Sequence, residues 1–281
     1  MSLAVVSAVL FSALLHASWN AVVRFNTDRL AAITLLAACA MLFAAPLLFV
    51  VPPPPPAAWP WLAASTLLHV GYNLFLATAY AHGELGKVYP IARGTAPLFT
   101  LAISLIVLGE PLSASTTLGI VVLGAGILAL TLDQGLKGLR AARRGVVLAL
   151  ATSLFIAGYT ITDGLGARAA GSPHGFVVWL FVLNGLPLLG YALWTRGPGD
   201  TIRMIGGNWR AGLFVGLLSL IAYWIVIWAM TVAPIPVVAA LRETSVVMAV
   251  VIGAVFLGER FTLARLVSAM VVVLGLVVLR L

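Results

Sequence analysis

The sequence predicts an all-α integral membrane protein of ten transmembrane helices, arranged as two inverted five-helix repeats. Three observations predict it. Hydrophobic residues make up 62% of the 281-residue chain and charged residues only 9%, against about 25% charged in a soluble domain. Ten apolar stretches reach the length of about 20 residues that a bilayer span requires. Several short motifs of the first half recur in the second at a constant offset.

The ten stretches are 2–23, 29–51, 59–81, 87–108, 113–132, 144–165, 173–195, 208–232, 235–257 and 262–280. The first lacks a basic leading segment and a small-residue cleavage site, so it reads as a retained helix and not as a signal peptide. After the second comes Pro52–Pro56, a short stiff spacer. The fourth carries Arg93 between Pro90 and Pro97. A proline ring lacks the N–H and crowds the carbonyl four residues back, so a break or kink is expected at Arg93. Irregular backbone at that depth is tolerated where it lines a cavity. The fifth and tenth stretches hold almost nothing polar besides Ser and Thr. Their Gly119, Gly124, Gly126, Ser268 and Gly275 are small residues spaced for close helix contact. These two helices are expected to pack the fold, or a homodimer, and not to line a cavity.

Short turns join the stretches, which leaves no soluble domain for catalysis or nucleic-acid binding. The net charge of +8 is a topology signal. Of 16 Lys and Arg, twelve lie in the turns after the odd-numbered stretches. Basic loops stay in the cytoplasm, which places both termini outside a plasma membrane or bacterial inner membrane. Cys39 is the single cysteine, so no intramolecular disulfide is available.

The recurring motifs are Gly109-Glu110 with Gly258-Glu259, Arg93 with Arg242, Thr95 with Thr244 and Gly126 with Gly275, all 149 residues apart. Ten identities fall in positions 88–130 at that offset. The halves are 1–135 and 136–281. Each holds five helices, an odd number, so the second enters from the opposite face. Inverted repeats of this kind recur in secondary transporters, where two similar halves exchange conformations.

Ten spans in two halves, a Gly-Glu pair after the fourth and ninth, and a fourth span rich in proline and small residues resemble the EamA family of the drug/metabolite transporter superfamily. The resemblance covers nearly the whole chain. It implies a secondary transporter, often an exporter of amino acids or other small metabolites, with a central cavity between the halves. The segment LLHASWNAVVR, 14–24, also resembles a subgroup associated with phosphonate utilisation.

Candidate substrate-binding residues follow from polar groups inside the spans. A buried arginine costs about 2.5–3.5 kcal/mol at the bilayer centre, so Arg93 and Arg242 must face protein or water. They are expected to flank one cavity from opposite ends and to hold a carboxylate, phosphonate or other anion. Two alternatives stand beside this: snorkelling to headgroups, and a salt bridge to Glu243, Glu84 or Asp163. His16, Trp19 and Asn20 share one face of the first helix, and His69, Tyr72 and Asn73 one face of the third. Tyr89, Tyr159, Tyr223 and Trp224 add aromatic lining. Each of these can equally be interhelical glue. Glu243 is read as the only acid well inside a span. With His69 it is the candidate for proton coupling, or else it is a counter-ion of Arg242. Glu110 and Glu259 read as structural, with Ser113 and Thr262 capping the helices that follow. No metal cluster, cofactor motif or phosphate loop is present in the sequence, so no catalytic residue, metal or cofactor is assigned. A membrane enzyme built on Asp163 with Arg168 or Glu84 with His82, a lipid handler and a scaffold remain the other classes.

Overall fold

The computed structural model describes residues 1–24, 29–82, 85–131, 143–256 and 262–280, all in helices, short 3-10 turns and connections. The helices are α1 (Leu3–Arg24), α2 (Arg29–Ala44), α3 (Trp59–Ala81), α4 (Leu85–Ile106), α5 (Ala114–Ala129), α6 (Arg143–Ala169), α7 (Pro173–Arg196), α8 (Pro198–Gly207), α9 (Trp209–Val232), α10 (Ile235–Glu243), α11 (Ser245–Phe256) and α12 (Leu263–Arg280). Seven stretches of the described residues are long and apolar enough to cross a membrane, and Ala114–Ala129 and Leu263–Leu279 are shorter apolar helices. The chain is an integral membrane protein. α4 has the length of a span at 22 residues, but Arg93 and its two prolines dilute its apolar character.

Two local expectations are reversed. α4 runs uninterrupted with Pro90 and Pro97 inside it. The ninth stretch is the broken one: α10 ends at Glu243 and α11 starts at Ser245. An unanticipated short helix, α8, follows Gly197, whose φ of 78° suits a glycine.

The helices pack in exchange-related pairs. α3 lies along α6 as α1 lies along α9, and α4 meets α6 as α1 meets α10 and α11. Swapping the halves turns one contact of each pair into the other, as two similar halves require. α2 packs on α7, and α5 on α12. The α5–α12 seam uses the small residues. A Cβ on Gly119 would lie 2.5 Å from the Leu279 backbone, one on Gly126 2.9 Å from Val272 N, and one on Gly275 2.7 Å from Leu123 N. These glycines are spent on contact within one chain. Ser113 caps α5 by accepting from Thr116 N at 3.1 Å, and Thr262 accepts from Arg265 N at 3.3 Å. Gly109 turns the chain at φ 61°. Gly258, Glu259 and Arg260, with Glu84, Lys137 and Arg140, lie outside the described residues.

Candidate functional site

The charged centre forms where α4 crosses α10. Every residue of α10 is buried, and its last two are Arg242 and Glu243. Arg93 comes from α4. The Arg93 Nε stands 2.7 Å from Glu243 Oε2. That N–H is not directed at the oxygen, so the contact is ionic and not a formed hydrogen bond. Arg242 holds the other oxygen: its Nη2 donates to Glu243 Oε1 at 3.2 Å and its Nε at 3.4 Å. Arg242 Nη2 also donates to Thr160 Oγ1 at 3.3 Å. Arg93 Nη2 lies 3.3 Å from His16 Nε2. Arginine has no acceptor, so this imidazole nitrogen accepts.

Both arginines are almost wholly enclosed, at 4% and 2% exposure, so neither snorkels to headgroups. They do not stand at opposite ends of a cavity either. Two guanidiniums from the two halves converge on one carboxylate, which is the salt-bridge alternative in a three-membered form.

Aromatic rings surround the triad. The Arg242 guanidinium carbon sits 5.8 Å from the Tyr159 ring centre and 6.0 Å from that of Tyr223, within cation–π range. His69 stacks on Tyr159 at 4.1 Å, and Tyr72 meets the same ring edge-on at 5.6 Å. Tyr89 lies near enough to Arg93 and Glu243 to feel both charges. The Tyr223 hydroxyl donates to Asp163 Oδ2, and Asp163 is fully buried.

The structure therefore brings together Arg93, Arg242, Glu243, His16, Tyr89, Tyr159, Tyr223, Tyr72 and His69. Trp19 joins through His16, whose ring it meets edge-on at 4.7 Å. Asn20 and Asn73 turn back on their own helices, donating to His16 O at 2.8 Å and His69 O at 2.9 Å. Trp224 is set apart: its indole N–H donates to His174 Nδ1 at 2.9 Å. Asp163 and Arg168 do not pair with each other. Arg168 donates to Glu110 Oε1 at 2.8 Å, Met230 O at 2.9 Å and Ala233 O at 3.0 Å. It ties the turn before α5 to the end of α9, which gives Glu110 its structural task.

Asp163 overturns the reading of Glu243 as the only acid deep in a span. The signal was available. Asp163 follows Tyr159 by four residues on α6, so the two share a helix face. The order in which that face meets α3 and α9 is a tertiary fact that no local pattern carries.

A family model described as an EamA-like transporter family matches residues 1–132 and again 143–281. No curated protein matches the chain. Among solved structures, 28 chains match. One crystal structure, titled only as that of a protein, aligns with a TM-score of 0.75 over 99% of this chain and 98% of its own, at 19% identity. At that identity the likeness speaks for the fold alone.

Proposed function

Because the chain belongs to the EamA-like transporter family, whose proteins are transporters, we propose that it is a secondary transporter that moves an amino acid or a related zwitterion or anion by alternating access. In this reading α4, α5 and α12 cross the bilayer with the other spans, giving ten. The halves 1–135 and 136–281 are inverted, and both termini face outward from a bacterial inner membrane. Transport runs as export or exchange.

One observation carries the substrate class. Two buried guanidiniums share one buried carboxylate, so the triad holds one positive charge more than it neutralises. An unpaired buried charge costs several kcal/mol, and a substrate carboxylate supplies the missing partner in the geometry that arginine prefers. Tyr72, Tyr89, Tyr159 and Tyr223 flank the apolar part of that substrate, with His16 and Trp19 beside its anionic end. Glu243, held by two cations, serves as their counter-ion. A phosphonate meets the same donors and is the competing ligand.

Thermal stabilisation of the purified protein across amino acids, phosphonates, nucleobases and sugars tests this. Stabilisation by one anionic or zwitterionic class, lost in Arg93→Ala and Arg242→Ala, is the expected result. Stabilisation by phosphonates alone would move the substrate to that class. Stabilisation that survives both substitutions would remove the arginines from the site. Counterflow in liposomes separates the classes of protein: an enzyme gives product without exchange, and a scaffold gives neither.

A further inference from the structure

Asp163 is a second acid buried inside a membrane-spanning helix, and the substrate reading leaves it without a task. One carboxyl oxygen, Oδ2, accepts from the Tyr223 hydroxyl of α9. The other, Oδ1, is buried and has no hydrogen-bond partner. The groups turned towards it are Ser65 and His69 of α3, Tyr223 of α9 and Arg242 of α10. Tyr159 of its own helix is close enough to Asp163 and to both arginines to interact with all three. Of these, only Arg242 carries a permanent charge, and its donors go to Glu243 and Thr160. His69 has its Nδ1 on Ser65, 3.1 Å from the hydroxyl and 3.0 Å from the carbonyl, and its face on Tyr159. Arg93 and Tyr89 of α4 surround Glu243, and His174 of α7 takes the Trp224 indole.

The two buried acids are thus held in opposite ways. Glu243 has a guanidinium on each oxygen. Asp163 has the Tyr223 hydroxyl on one oxygen, the Ser65 hydroxyl turned towards its carboxyl, and no cation in contact. An ionised carboxylate offers about four acceptor positions, and leaving a buried anion so poorly matched costs several kcal/mol. A proton on Oδ1 removes that cost and leaves Oδ2 free to accept from Tyr223.

We propose that Asp163 is the proton-carrying site of this transporter, holding a proton while its carboxyl is buried and releasing it when the junction of α3, α6 and α9 admits water. On release the Oδ1–H bond breaks, water takes the proton, and the carboxylate keeps the Tyr223 hydrogen bond. The new charge is felt at the substrate arginines, because the Tyr223 ring that holds Asp163 also lies 6.0 Å from the Arg242 guanidinium carbon. The inference rests on the transporter reading for its purpose, while the protonation itself can be measured without any substrate.

Infrared spectroscopy of the protein in lipid, titrated through neutral pH, tests it. The expected result is a carbonyl band of a protonated carboxylic acid that disappears in Asp163→Asn. In Tyr223→Phe the same band shifts, because its hydrogen-bond donor is gone; this second variant covers a failure of the first to fold. A spectrum in which Asp163→Asn removes no such band, and Tyr223→Phe shifts none, overturns the proposal. Proteoliposomes given a pH gradient and L-phenylalanine supply the coupling arm: accumulation by the wild type should be lost in Asp163→Asn. Accumulation that persists in the variant overturns the coupling role. Wild-type vesicles that show no exchange at all count against the substrate reading, and the infrared band still decides the proton on Asp163.

Discussion

Replacing Glu243 with Gln should destabilise this protein more than removing either arginine it binds. The charges lie 2.7 Å and 3.2 Å from their partners. At an effective dielectric of about 20, such separations correspond to attractions of about 6 and about 5 kcal/mol before desolvation is counted. Most of that offsets the cost of burying the ions. The observable quantity is the cost of removing one partner from a buried pair, about 3–5 kcal/mol. Glu243→Gln leaves two guanidiniums buried side by side with no anion between them, so the full cost applies. Arg93→Met leaves Arg242 with Glu243, a neutral pair, and should cost less. At about 2 °C per kcal/mol for a chain of this length, the glutamine variant should melt about 6–10 °C lower. The decisive comparison is a double variant. If repulsion between orphaned cations dominates, Arg93→Met added to Glu243→Gln should raise the melting temperature above that of Glu243→Gln alone. Melting curves of the four proteins in one detergent read this directly. A double variant that melts below both single variants would refute the shared-carboxylate account and restore two independent arginine sites.

The other expectations are simpler. Gly119→Ala forces a Cβ to within 2.5 Å of the Leu279 backbone and should cost about 1–3 kcal/mol as overpacking, read as a lower melting temperature, whereas Gly190→Ala in α7 meets nothing within 4 Å and should not lower it. Glu110→Gln should cost at most about 1 kcal/mol, because its pair with Arg168 is partly exposed. Arg168→Ala should cost more in the same assay, since the Met230 and Ala233 carbonyls lose their donor as well. Arg93→Ala and Arg242→Ala should both abolish substrate-dependent counterflow while the protein remains folded.

Much of the architecture was legible because it depends on composition and length. Apolar stretches bounded by turns mark helices in lipid whatever they touch, and the Gly-Glu turns betray the repeat. The arginines were legible too, since a cation inside a span must have a reason. Their meeting point was not. Sequence separation places Arg93 and Arg242 at equivalent positions of two halves, and equivalence under inversion suggested opposite ends of a cavity. In the fold α4 meets α10, and the equivalent positions converge on one carboxylate. The repeat itself then explains why one acid serves two arginines. At the offset of 149, the counterpart of Glu243 is Gly94, whose Cβ would meet Leu128 and Ile127 of α5 at 3.0 Å and 3.1 Å. The first half spends that position on packing, and the second supplies the carboxylate.

The broken helix follows from the same asymmetry. Proline chemistry pointed to α4, yet α4 continues through Pro90 and Pro97, and side chains bond two carbonyls just before Arg93. Thr95 donates its hydroxyl to Ile91 O at 2.6 Å, and Ser153 of α6 donates to Ala92 O at 3.0 Å. The second half has no proline at the corresponding positions, Ala239 and Val246. It breaks for another reason. Neighbouring residues on a regular helix do not face each other, but Arg242 and Glu243 are neighbours and hydrogen-bond through their side chains. They reach each other in the last turn of α10. The Thr244 N–H bonds to Leu241 O at 3.2 Å in a tightened last turn, and its hydroxyl takes the same carbonyl at 2.7 Å. A helix that must place an arginine and the acid beside it on one point gives up its regular course at that point. The cue in the sequence was the adjacent Arg-Glu pair inside an apolar stretch, not a proline.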